Sequence, residues 1–212
     1  MISKFEDLSK LFEEINENIA EKVHYFVIGG ATLLYHGLKP QTKDIDIVVN
    51  IFTEFKATEN VLKKIGFSAK IPSVEYKKVA INQIFVRKDF RIDIFQKTIC
   101  EGFVLSDSMQ KRAHKIIEMK NITVSLCSLE DIFLLKTFTE REGDITDCIA
   151  LAEKGIDWNT ILEELKKQIV ESKQDVWITW VGERLDILED RGLDIPIMKE
   201  VNELIEQYFD DY

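Results

Sequence analysis

Apolar residues at Phe5, Leu8, Leu11, Phe12, Ile15 and Ile19 recur three and four positions apart, which predicts an amphipathic helix in the first twenty residues, packed on the core. The pattern then changes. Residues 24–28 are β-branched and aromatic and predict a strand that stops at Gly29-Gly30. A short helix over 31–36 closes at Gly37, with Pro40 beyond it in a loop. Over 44–49 the chain alternates polar and apolar for its first four residues, as a strand with one dry face does. A helix over 53–65 ends at Gly66. Between 74 and 95 the runs VAINQIFV and FRIDIF read as two strands, the second sending Arg91 and Asp93 one way and Ile92 and Ile94 the other. Residues 115–119 and 122–126 predict a hairpin joined by Lys120-Asn121.

After Ser128 the period becomes helical. Ser128 followed by Glu130-Asp131 predicts an N-cap with first-turn acids, opening a helix through Phe138. Further helices are predicted over 144–153, 158–172, 175–188 and 195–208, punctuated by Gly143, Gly155, Gly192 and Pro196. The fold class is therefore α/β (α+β): a mixed β-sheet flanked by helices over 1–127, followed without a flexible linker by a C-terminal helical domain over 128–212.

Composition narrows the partners. The 212 residues are 45% hydrophobic, enough for a normal core, and the formal net charge of -10 argues against a broad basic surface for nucleic acid or anionic membranes. Cys100, Cys127 and Cys148 are scattered, with no CxxC pair, and predict reduced, buried thiols and a cytoplasmic protein. Acids interrupt the apolar residues of the N-terminus, unlike a signal peptide, and no apolar run approaches the roughly 18 residues of a membrane span.

Two aspartates inside an apolar strand then call for a reason, since an unpartnered carboxylate is costly to desolvate. At about 3.3 Å per residue, Asp44 and Asp46 stand roughly 7 Å apart on one strand face, within reach of shared divalent cations. Clustered oxygen donors without Cys or His select magnesium (or manganese) over zinc. Asp93, in the same acid-out register on another strand, is the natural third ligand and acts as, or positions, a base. Metals held about 3.5–4 Å apart suit an in-line displacement that releases pyrophosphate. The Gly29-Gly30 turn would let backbone approach a phosphate closely.

These motifs carry a resemblance. VIGGATLLYHG, thirteen residues between Gly30 and DIDI, and the later RIDIF resemble the nucleotidyltransferase superfamily with the DNA polymerase beta type of fold. The segment LLKTFTEREGDITDCIAL is similar to the AbiEii-like nucleotidyltransferases, which include toxins of toxin-antitoxin systems. The resemblance implies a magnesium-dependent transfer of a nucleoside monophosphate from a nucleoside triphosphate to an acceptor hydroxyl on an RNA end such as tRNA, a protein or a small molecule. It implies metal binding at Asp44, Asp46 and Asp93, and nucleotide contacts from Gly29, Gly30, Thr42 and Lys43. Lys136, Arg141, Asp144 and Asp147 would lie near the nucleotide. Relatives carry an arginine four residues before the first aspartate; here Pro40 stands there, and Lys39 or Lys43 is left to supply the charge.

Plainer readings compete. Asp44 and Asp46 would also suit an edge strand with a solvated face, and Lys136, Arg141, Asp144 and Asp147 a solvated helix face or acids at a helix start. The histidines are too dispersed to suggest a site. Trp158, Trp177 and Trp180 fall on helical patterns as core or interface residues, so an antitoxin or a second copy of the chain is a candidate partner. A second functional class is a binding or regulatory module that keeps the fold and turns over weakly or not at all, favoured by Pro40 and opposed by the three aspartates.

Overall fold

Alternating burial on neighbouring strands sets the architecture. The structure, a computed structural model, describes residues 1–71, 80–139 and 141–210. The chain divides into two compact units, Met1–Ser128 and Leu129–Tyr212.

The first unit runs α1 (Phe5–Asn18), β1 (Val23–Ile28), α2 (Gly30–Tyr35), β2 (Ile45–Val49), α3 (Phe52–Lys64), β3 (Ser68–Lys70), β4 (Gln83–Arg87), β5 (Phe90–Gln96), β6 (Thr98–Ile99), β7 (Phe103–Val104), α4 (Asp107–Arg112), β8 (His114–Glu118) and β9 (Ile122–Leu126). Seven of these strands form one mixed sheet in the order β3-β4-β5-β2-β1-β9-β8, flanked by helices, and β6 pairs with β7 separately. At its centre β1 is antiparallel to β2 and parallel to β9, while β2 is parallel to β5.

One sheet face carries Val23, Tyr25 and Val27, then Ile45, Ile47 and Val49, then Ile92 and Ile94, then Ile122, Val124 and Leu126. These pack with Leu8, Leu11, Phe12 and Ile15 of α1 and with Phe55, Val61 and Leu62 of α3 in one apolar cluster. The period-two strand pattern and the helical pattern of α1 thus meet in a single core. Its one buried phenol is partnered, since the Thr58 hydroxyl lies 3.1 Å from Tyr25 Oη. The opposite parity sends Phe26, Asp46 and Asp93 to the other face, set by the registers Phe26↔Val48, Ile28↔Asp46 and Asp46↔Asp93.

Polar ties hold the helices to the sheet. Arg87 forks onto Glu14 of α1 at 2.7 and 2.6 Å, with its guanidinium 4.5 Å over the Phe67 ring. Asn121, in the β8–β9 turn, donates to Ile19 O at 2.8 Å and takes its own backbone N–H to Asn16 Oδ1 at 2.9 Å. The Ile2 and Thr42 backbones exchange two hydrogen bonds, 2.9 and 2.8 Å, so the N-terminal segment pins the loop before β2.

The second unit contains α5 (Leu129–Thr137), α6 (Glu142–Lys154), α7 (Trp158–Ser172), α8 (Trp177–Asp190) and α9 (Met198–Asp210). Phe133 meets Trp158 edge-on at 5.1 Å, and Phe138 meets Trp177 at 5.5 Å. Gly182 lets α8 close on α9, since a methyl there would stand 2.4 Å from Ile205 Cδ1.

The predicted α/β class and most elements are present, with differences. The strand expected over VAINQIFV starts only at Gln83; Ala80 is in a left-handed turn, and residues 74–79 lie outside the described residues. The β2 strand is dry on both sides beyond Asp46, since Val48 is as buried as Ile47 and Val49. The short β3, β6, β7 and α4 have too few residues to show a period. All three cysteines are buried thiols outside any disulfide, burial pushing the Cys148 thiol up to about 12. Among the described residues no helix is long and apolar enough to cross a membrane.

Leu8, fully buried beneath the sheet, gives the packing test. Leu8→Ala is expected to lower the unfolding free energy by about 2–5 kcal/mol in urea denaturation. A loss within experimental error would mean that α1 does not complete this core.

Candidate functional site

The chain brings its acids to one end of the sheet by register. Antiparallel pairing puts the C-terminal end of β1 beside the N-terminal end of β2, and parallel pairing puts the N-terminal end of β5 on the other side of β2. Ile28 lies opposite Asp46, which lies opposite Asp93. Asp44 precedes Asp46 by one strand repeat and is close enough to raise the proton affinity of Asp93.

The glycine pair is required there for space. Gly29 has φ +66°, a conformation L side chains rarely adopt, and a methyl on it would stand 2.3 Å from Asp46 Oδ2. A methyl on Gly30 would stand 2.5 Å from Thr42 Oγ1. Thr42 is itself buried, and its hydroxyl donates to Asp44 O at 3.0 Å. Gly29, Gly30, Thr42, Asp44 and Asp46 therefore form one packed group. Lys43 is exposed on the loop, Pro40 is also exposed, and Lys39 is half-buried.

Asp93 differs from its neighbours. It is 2% exposed, and Arg91 forks onto it with Nε 2.8 Å from Oδ1 and an Nη 2.6 Å from Oδ2. Burial raises the pKa of this carboxyl; Arg91 opposes the shift and Asp44 adds to it, leaving the net value raised. The expected acid-out face is thus not open to water at Asp93, because both sides of β5 are covered from Ile92 to Phe95. Among the described residues no three His, Cys, Asp or Glu side chains form a group ready to hold a metal ion. The donor chemistry nevertheless suits a hard divalent cation: Asp46 and Asp93 share a face on adjacent strands, and a guanidinium already occupies a cation position at Asp93. Sequence reasoning placed Arg91 on the face of Asp93 without pairing the two; their spacing of two in a strand was the available signal.

The helical unit holds its own ionic cluster. Lys136 Nζ lies 2.6 Å from Asp144 Oδ1 and 2.7 Å from Asp147 Oδ2, and all three are buried. Arg141 Nε reaches Asp144 Oδ2 at 2.8 Å, and the Thr139 hydroxyl bonds the same oxygen. Burial alone would lower the Lys136 pKa, but the two carboxylates outweigh it and hold it above the ordinary lysine value. Burial likewise opposes the charge on Asp144, and Lys136 with Thr139 and Arg141 prevails, keeping its pKa low. The solvated-face reading fails for Lys136, Asp144 and Asp147 because helix packing leaves them no water; only the Arg141 side chain, 73% exposed, faces solvent. Thr139 was not anticipated, although it lies between Lys136 and Asp144 in the chain.

Residues 6–185 match the family described as "Nucleotidyltransferase of unknown function (DUF6036)". The chain belongs to that family. The solution structure of the antibiotic-resistance factor ANT(2'')-Ia is similar over 89% of this chain and 96% of its own, with a TM-score of 0.51 and 12% identity. The crystal structure of ANT(2'')-Ia with adenylyl-2''-tobramycin is similar over 78% of this chain and 99% of its own, with a TM-score of 0.51 and 10% identity. The Thermotoga maritima protein TM1012 aligns over 63% of this chain and 83% of its own, with a TM-score of 0.44 and 18% identity. No curated protein matches in sequence. At these identities the structural likeness establishes the fold, while the family match makes the chain a nucleotidyltransferase.

Two substitutions probe this geometry. In this nucleotidyltransferase, Lys136→Met takes the buried ammonium away from both Asp144 and Asp147 and is expected to cost about 3–5 kcal/mol at neutral pH. A group with a depressed carboxyl pKa, as Asp144 has, stabilises above its unfolded value and loses that contribution as pH falls through the folded one. The gap between the variant and the parent should therefore narrow as pH drops through the carboxylate range near about 4, measured by denaturant unfolding at several pH values. Gly29→Ala should lower the melting temperature by several degrees from strain and the clash with Asp46; an unshifted melting curve would mean that the turn rearranges freely.

Proposed function

We propose that this nucleotidyltransferase moves a nucleoside monophosphate from a nucleoside triphosphate to an acceptor hydroxyl at the sheet end formed by Asp44, Asp46 and Asp93. The observation that carries the reading is the close fit of Gly29 against Asp46, in register with Asp93. A glycine with positive φ, kept free of a side chain by a carboxylate, leaves the backbone bare beside the acids, where a triphosphate would sit. A bound magnesium or manganese ion, held by Asp44 and Asp46 with Asp93, would supply countercharge to the phosphates. The Gly29-Gly30 backbone and Thr42 fix the turn and position Asp46. Asp93, with its raised proton affinity, is the group suited to take or orient the acceptor hydroxyl proton.

The finer affiliation is to the AbiEii-like branch, with a place in a toxin-antitoxin pair, supported by the Lys136, Arg141, Asp144 and Asp147 pattern. Within that cluster Arg141 is the member that reaches solvent, its side chain 73% exposed while paired with Asp144. The acceptor is an RNA end, a protein or a small molecule. The net charge of -10 favours a compact acceptor over a long nucleic acid tracked along a surface. ANT(2'')-Ia, crystallised with adenylyl-2''-tobramycin, provides the example of a small-molecule adduct on this fold. A second reading, a binding or regulatory module with little turnover, is favoured by one observation: Arg91 occupies both oxygens of Asp93.

Incubating the protein with each labelled triphosphate, Mg²⁺ or Mn²⁺, and tRNA, cell protein or aminoglycosides should release pyrophosphate and label one acceptor class. Asp46→Asn should abolish both. Absence of transfer with every triphosphate leaves the binding module as the surviving reading, and transfer indifferent to Asp46→Asn overturns the assignment of the reaction to this sheet end.

A further inference from the structure

We infer that Arg91 is an exchangeable countercharge: it neutralises Asp93 in the metal-free protein, yields that carboxylate to a divalent cation, and then pairs with the triphosphate. The inference rests on the nucleotidyl-transfer reading and assigns to this site the arginine that the loop before β2 lacks.

Three features carry it. First, Asp93 is buried and uses both oxygens on one guanidinium, so no second cation can take it bidentately while Arg91 stays in place. Second, burial is unequal across the pair. The Arg91 side chain is 27% exposed and the Asp93 side chain 3%, so the arginine can swing outward on its flexible stem while the carboxylate is fixed in the strand. Third, the register places Arg91 at the acidic end. Ile92 pairs with Ile45, so Arg91, one residue earlier on the parallel strand, comes level with Asp44. A guanidinium released there stays within a side chain's length of the two aspartates and of the turn Gly29-Gly30. Its planar fork suits phosphate oxygens as well as carboxylate oxygens.

The loop residues make the role necessary. Pro40 has no charge to offer, Lys43 is an exposed point charge, and Lys39 is half-buried with partners of its own. Arg91 is a guanidinium in contact with the acidic end, through Asp93. Arg87 is committed to Glu14 on α1, and Arg112 lies at the end of α4.

Exchange makes an unusual prediction for binding measured without turnover. Arg91→Gln removes the competitor for Asp93, so Mn²⁺ alone, followed by electron paramagnetic resonance, should bind about tenfold tighter than to the parent protein. Inorganic tripolyphosphate, titrated by calorimetry in saturating Mn²⁺, should bind roughly tenfold weaker to the same variant. Arg91→Lys keeps a charge without the fork and should recover most of the tripolyphosphate affinity. The opposed signs cannot come from poor folding, which would weaken both. Weaker binding of both probes, or no change in either, would reduce Arg91 to a structural partner of Asp93 and overturn the inference. Failure of the parent protein to bind Mn²⁺ at all, or binding that survives Asp46→Asn undiminished, would remove the nucleotidyl-transfer reading together with this one.

Discussion

Two carboxylates on neighbouring strands, Asp46 and Asp93, face the same side of the sheet at the same level, and the structure around them is arranged by the charge they carry. Adjacent strands lie about 4.8 Å apart. Like charges gathered at one sheet end repel, and Asp44 accordingly raises the proton affinity of Asp93. The repulsion is met in two ways. Arg91 closes on Asp93, and Asp46 is turned toward the Gly29 backbone, where no side chain can stand. The Ile2 segment contributes at a distance, since its backbone pairing holds Thr42 in place and Thr42 in turn bonds the Asp44 carbonyl. A constraint on two side chains thus reaches the first residues of the chain.

The protein solves a similar problem differently in its helical unit. Lys136 is surrounded by Asp144 and Asp147, and Asp144 is further bonded by Thr139 and Arg141. Lys136 is shared between two carboxylates and Asp144 among three donors, and the lysine side chain is only 10% exposed. Removing one member strands the others without water, which is why such clusters resist rearrangement. In the Arg91–Asp93 pair the cation is partly exposed and the anion is not. The first arrangement fixes a fold, whereas the second is the one in which exchange is proposed. Their difference lies in connectivity and exposure, not in the strength of either contact.

The fold was legible wherever a period ran long enough. The helical stripe of α1, the alternation in β1 and β2, and the glycines after α2 and α3 each left a signal that local sterics enforce. The aspartates of the site were legible for the same reason, because alternation assigns Asp44 and Asp46 to one face without knowledge of any neighbour. The pairing of strands was not, since the registers Ile28↔Asp46 and Asp46↔Asp93 join residues far apart in the chain. For the same reason the burial of Asp93 and of Lys136 escaped notice: charged residues usually stand in water, and only tertiary packing removes it. The close fit of Gly29 against Asp46 was half visible, as a glycine whose reason lay seventeen residues downstream.

Fold likeness at 10–12% identity shows how little of a sequence the architecture needs, and so how little it says about chemistry. What a nucleotidyl-transfer site needs is electrostatic: negative oxygens to gather cations, and positive groups to meet phosphate. Neither demand names a chain position. A guanidinium on a loop four residues before the first aspartate and one on a neighbouring strand at the same level can present the same charge to the same space. Under the proposed reading, proline at position 40 therefore counts against the loop, not against the site, because Arg91 stands on the neighbouring strand with its fork on Asp93.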